Sequence, residues 1–149
     1  MDDGRYINTG WLQELPDPIT KLTGDNAALM SPAFAKGLNV TTGDLVQVTV
    51  TTKTLDPNQQ PIRRQLVIAA LVSPGHADNS VTIPLGYGRK QTGPVGEEAG
   101  LNAYLLRTAT NPHFIVADGA EIESVKVAKV AGTYALSIHQ DHWRIDGRA

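Results

Sequence analysis

From Leu66 to Val72 the chain reads LVIAALV, a run without a single polar side chain. Its length and β-branched content suit a strand buried on both faces rather than a helix, and such strands lie inside a fold, not on its rim. The residues before it agree. In DLVQVTVTT, starting at Asp44, Val46, Val48 and Val50 alternate with Leu45, Gln47 and Thr49, which predicts a strand with one drier face. Between the two lies KTLDPNQQP, a polar loop with a turn at Asp56-Pro57-Asn58. Further strands are expected at Ser80–Ile83, Ile122–Val130 and Tyr134–Ile138.

Helix is expected in one place, at about residues 32–36. Ser31 caps it, Pro32 suits its first position and Gly37 closes it. GLNVTTGD then turns the chain into the strand that begins at Asp44. Residues 5–23 read as extended, with Pro16 and Pro18 opposing a helix. Glycines at 86, 88, 93, 96 and 100 mark a long irregular loop, and loops of that length in compact domains usually carry function or are disordered. Many short strands, glycine and proline punctuation and a short helix make a mostly-β barrel or sandwich the expected class.

At 149 residues the chain is read as one domain, residues 1–149. A formal charge of −2 lacks the basic stripe of a nucleic-acid binder, so no nucleic-acid partner is expected. No apolar run approaches the roughly 20 residues that span a bilayer, so direct membrane insertion is not expected. MDDGRYINTG contains no apolar signal-peptide core. With no cysteine in the segment, iron–sulfur ligation and thiolate chemistry are not expected within it.

The familiar site patterns fail one by one. GYGRKQTG lacks both the GK[ST] ending of a P-loop and the G-x-G-x-x-G spacing of a dinucleotide fingerprint. There is neither a G-x-S-x-G elbow nor an H-E-x-x-H pair. His139-Gln140-Asp141-His142 has metal-binding residue types, but beside Trp143 and Arg144 these read as solvated loop residues. His76 and Asp78 share a face if extended, yet no further ligands accompany them. Asp17, Asp25, Glu97 and Glu98 read as ordinary surface charges with no cause for a shifted pKa. No catalytic residue and no metal ligand are assigned.

The stretch PGHADNSVTIPLGYGRK, residues 74–90, carries more information. Gly86 and Gly88 allow backbone N–H groups to approach an anion, and Arg89 can fork onto phosphate oxygens. Asp78 can accept from the N1–H and exocyclic amine of guanine, while Asn79 and Asn102 offer paired donors and acceptors to a heterocycle edge. The plainer reading is a wide surface loop whose glycines turn corners.

The order of these motifs resembles a known family. ALMSPAFAKGLNVTTGDLVQVTV (28–50), LVSPGHADNSVTIPLGYGR and GLNAYLLR are similar to the C-terminal molybdopterin-dinucleotide-binding domain of the dimethyl sulfoxide reductase superfamily. GWLQELPDPITKLT together with GHADNSVTIPLGYGR resembles more closely the molybdopterin-oxidoreductase-like iron–sulfur subunit of alternative complex III, a bacterial quinol-oxidising complex. The resemblance covers essentially the whole chain.

It implies a double-psi β-barrel of the aspartate-decarboxylase-like fold with one or more short helices, cut from a longer subunit; DHWRIDGRA suits a chain that runs on. It also implies molybdopterin guanine dinucleotide as cofactor, with Asn8, Thr9, Trp11, Gln13, His76, Asp78, Asn79, Gly86, Gly88, Arg89 and Asn102 around it. The implied partners are other domains of the same subunit and other subunits of a membrane-associated respiratory complex on the periplasmic side. Subunits of the alternative-complex-III type resemble molybdoenzymes in fold but lack the molybdenum cofactor. Two functions therefore stand open: a cofactor-binding module, or a structural barrel in which Trp11, Tyr87 and Tyr104 anchor interfaces. The aspartate-decarboxylase activity itself needs a self-processing Gly-Ser pair, and the chain contains none.

Overall fold

The computed structural model describes residues 5–6, 9–91, 97, 99–108, 115–117, 119 and 121–139. Its centre is an antiparallel hairpin. Strands β2 (Asp44–Leu55) and β3 (Pro61–Val72) pair with Val46 opposite Ile68 and Val48 opposite Leu66, and the register shifts between Thr51 and Leu55. Asp56 makes the turn, because its carboxylate accepts from Asn58 N at 2.8 Å and Gln60 N at 2.9 Å. An aspartate in this role imitates a backbone turn, as the local sequence predicts. Val46, Val48 and Val50 are buried and their alternates half-buried, which matches the expected drier face.

Burial on both faces of β3 holds from Ile68 to Leu71 and stops short at Val67, which is 43% exposed. The reason is coverage. Strand β1 (Ala28–Met30) lies parallel to β3 only from Ala70 to Val72, so the first half of β3 lacks that neighbour. Strand β4 (Ile122–Thr133) pairs antiparallel with β2, with Val127 opposite Val48, and runs past the expected Val130. The sheet order is β1-β3-β2-β4, mixed and open. Closure into a barrel is not among the described strand pairings. The chain is thus mostly β, with few short helices.

Helix α1 (Gly10–Glu14) falls inside the region expected to be extended. Pro16 forces an extended Leu15, ψ 125°, and so ends a helix there without preventing one upstream. Helix α2 (Pro32–Gly37) begins as expected, since the Ser31 hydroxyl accepts from Phe34 N at 3.0 Å and proline follows it. Gly37 is the last helical residue, and the left-handed conformation beyond the helix falls to Asn39, φ 55°. Among the described residues no helix is long and apolar enough to cross a membrane.

Two expected strands reduce to single bridges. Thr82 pairs with Leu29 across two backbone bonds of 2.9 and 3.0 Å, and Ile138 bridges Leu22. The first cannot lengthen because Asn79 is left-handed and Pro84 has no N–H to donate. Where the sheet enters β2, Asp44 accepts from Lys129 at 2.7 Å and from the Thr41 N–H and hydroxyl at 2.8 and 2.9 Å. The Lys129 ammonium is the largest influence on this carboxyl, and together these donors lower its pKa to about 2. Ala28, Met30, Val46, Ile68, Ala103 and Leu106 lie at the heart of the main core.

Candidate functional site

Asn26 organises the glycine loop. It is 1% exposed and packs between two distant segments. Its Nδ2 donates to Pro84 O at 3.0 Å and Leu101 O at 2.9 Å, and its Oδ1 accepts from Leu101 N at 2.8 Å. One side chain thus satisfies three backbone groups that lie outside the described strands. Asn102 follows and caps a 3-10 turn, Ala103–Leu106, by accepting from Tyr104 N at 3.1 Å.

Gly88 brings the two segments into contact. Its N–H donates to Ala99 O at 2.7 Å, and its φ is +69°. A Cβ built there would lie 2.5 Å from Asn102 N and 2.9 Å from Leu101 C. Only glycine combines that conformation with so close a backbone neighbour.

The result is an open cavity of about 750 Å³ lined by Tyr87, Gly88, Arg89, Lys90, Gln91, Asn102 and Tyr104. Its described lining carries two cations and no carboxylate, so its field favours an anion. The Arg107 guanidinium lies 5.0 Å from the Tyr104 ring centre and steadies that wall. Arg64 in turn donates to the Arg107 carbonyl.

The structure therefore gathers three of the residues named from sequence, Gly88, Arg89 and Asn102, with buried Gly86 (φ 102°) just before them. The others lie elsewhere. Asp78 accepts from the Ser31 hydroxyl at the start of α2. His76 meets Thr82 Oγ1 at 2.9 Å through Nε2 and Ala77 O at 3.0 Å through Nδ1. Asn79 is left-handed and lines a second, larger cleft. Thr9 precedes α1, Trp11 is 85% exposed, and buried Gln13 accepts from Gly24 N through its carbonyl at 2.9 Å. Asn8 lies outside the described residues. Sequence reasoning missed Gln91 and Asn26; Tyr87, Tyr104 and Lys90 it read only as interface or charge.

Of the acidic residues, Asp17 departs from an ordinary surface charge. Burial disfavours the charged form of Asp17, but Thr20 N–H, the Thr20 hydroxyl and Ile19 N–H together outweigh it and hold its pKa below the ordinary value. That direction is wrong for a general acid at neutral pH. Among the described residues no three His, Asp or Glu side chains gather in one place. His139 donates its backbone N–H to Lys21 O, while residues 140–142 and Glu98 lie outside the described residues.

No protein-family model matches the chain, and no curated protein matches it at a significant level.

Proposed function

We propose that this chain is a dinucleotide-binding module of the molybdopterin guanine dinucleotide type, belonging to a respiratory oxidoreductase subunit and built on the double-psi barrel plan. The observation that carries the reading is the Gly88 contact, beside which Arg89, Lys90 and Asn102 line one cavity with no carboxylate among its described lining residues. Pyrophosphate is a concentrated anion, and a concave site with two cations in its described lining suits it, although the Gly88 N–H expected to meet an anion is spent on Ala99 O. About 750 Å³ is also the size of a small-molecule site. Arg89 and Lys90 would hold the phosphates, and the Asn102 amide would meet a polar edge. The group itself supplies redox chemistry when bound; this module supplies binding and orientation and has no turnover of its own.

Isothermal titration with guanosine and adenosine diphosphates tests the reading. Arg89→Ala removes a charge-assisted contact of about 1.5–3 kcal/mol, a loss of roughly tenfold or more in affinity. If neither nucleotide binds, or if the substitution changes nothing, the module reading fails.

A second reading is a structural barrel packed against other domains of its subunit and other subunits of a membrane-associated, periplasmic-side complex. One observation favours it: Trp11 is 85% exposed, with Leu15 at 59% and Ile19 at 68%. Large apolar side chains left this bare mark interfaces. Tyr87, at 9% exposure, is buried within its own chain, so in this reading the interface anchors are Trp11 and Tyr104.

A further inference from the structure

Beside the anion cavity lies a larger cleft of about 1200 Å³, which the dinucleotide reading does not use. Its floor is the sheet face carrying Val48 and Val50 of β2 with Val125 and Val127 of β4; Ile83 and Leu85 stand among its other walls. Among the described residues three charged side chains line it: Asp17, Asp25 and Arg107. The two carboxylates are already engaged. Asp17 accepts from Ile19 and Thr20, while Asp25 accepts from Asn26 N at 2.7 Å and hydrogen-bonds to Tyr134.

Arg107 differs. Its backbone is pinned, with its N–H on Tyr104 O at 3.1 Å and its carbonyl accepting from Arg64. Its guanidinium rests over the Tyr104 ring at 5.0 Å, and no acceptor meets it among the described residues. A stacked guanidinium with unspent donors is a preorganised fork for a carboxylate. An apolar cleft with one such polar group selects a ligand of matching form.

We propose that the cleft binds an amphipathic monocarboxylate, with the apolar body along the valine floor and the carboxylate on Arg107. In the described lining Arg107 is the one cation and stands beside two carboxylates, which favours a singly charged carboxylate over a doubly charged phosphate ester. The inference stands on Arg107 and the sheet face, and does not depend on nucleotide binding at the neighbouring cavity.

Decanoate, decanol and acetate titrated calorimetrically into the whole chain at neutral pH test it. Decanoate should bind saturably, about tenfold to a hundredfold tighter than decanol, and acetate not at all. Arg107→Gln should erase the preference by weakening decanoate alone, and Arg107→Lys, which keeps the charge, should retain part of it. Urea midpoints show whether each variant is folded, and Arg107→Lys carries the test if Arg107→Gln is not. Equal binding of decanoate and decanol, no saturable binding, or a preference that survives Arg107→Gln in a folded chain would overturn the proposal.

Discussion

Gly88→Ala isolates the contact on which the candidate cavity depends. Two costs add at this position. An L-residue at φ +69° costs about 1–2 kcal/mol relative to its relaxed conformations. The new methyl would also lie 2.5 Å from Asn102 N and 2.9 Å from Leu101 C, which are backbone atoms that cannot rotate away. Forcing such atoms apart carries the cost of overpacking, about 1–3 kcal/mol. The expected loss is therefore about 2–5 kcal/mol. Gly75→Ala supplies the control, since its φ is +88° but nothing lies within 4 Å of its Cβ position. It bears only the conformational cost of about 1–2 kcal/mol. Urea unfolding followed by circular dichroism reads both. With a slope of about 1–3 kcal/mol per molar, an extra 2 kcal/mol moves the midpoint by roughly 1 M. If Gly88→Ala is no less stable than Gly75→Ala, the close approach does not hold the loop, and the argument for the cavity falls with it.

Three further outcomes are expected. Asn26→Ala should cost about 3 kcal/mol at roughly 1 kcal/mol per lost bond; Asn26→Asp should be worse at pH 7, because its carboxylate faces the Pro84 and Leu101 carbonyls, and the excess over Asn26→Ala, each taken against wild type, should shrink as pH falls toward about 4 and be gone below it, since burial beside two carbonyls raises the folded acid's pKa above the unfolded one. Asp44 has a folded pKa of about 2 against an ordinary 3.8, so its contribution is fully present above the unfolded value and is lost as pH falls from about 4 toward 2; Asp44→Asn should remove that part of the acid dependence, which denaturation midpoints across the window would show. Ser31→Ala should cost about 0.5–2 kcal/mol by chemical denaturation through the lost cap, and amide hydrogen exchange at residues 76–80 should quicken as Asp78 loses its donor.

What was legible in the chain is what local pattern decides. The β2 alternation, the Asp56 turn and the Ser31-Pro32 helix start are each written in neighbouring residues, and each forms where expected. Strands that depend on a partner are less legible. Val81 and Ile83 have strand-like side chains, but Asn79 and Pro84 confine that segment to one bridge. Ala28–Met30 has only three residues and is a strand because β3 offers it an edge. A periodicity cannot announce a neighbour.

The same distinction runs through the candidate site. Gly88 and Arg89 stand out in GYGR, yet nothing nearby says that Gly88 meets Asn102. Asn26 is plainer still, an asparagine in an ordinary TGDNAA whose acceptors lie 58 and 75 residues away. Those bonds matter because Pro84 and Leu101 sit outside the described strands, and partly buried backbone groups there are satisfied by a side chain instead. Asp78 makes the reverse case. Its side chain suits a guanine edge on paper, but the Ser31 hydroxyl reaches it first and joins the 74–90 stretch to the start of α2. A residue's chemistry restricts what it can recognise, whereas its nearest donor decides whether that capacity is already spent. For Arg107 the order is inverted: it drew no attention in the sequence, and no acceptor among the described residues meets its guanidinium, while the residue lines an apolar cleft.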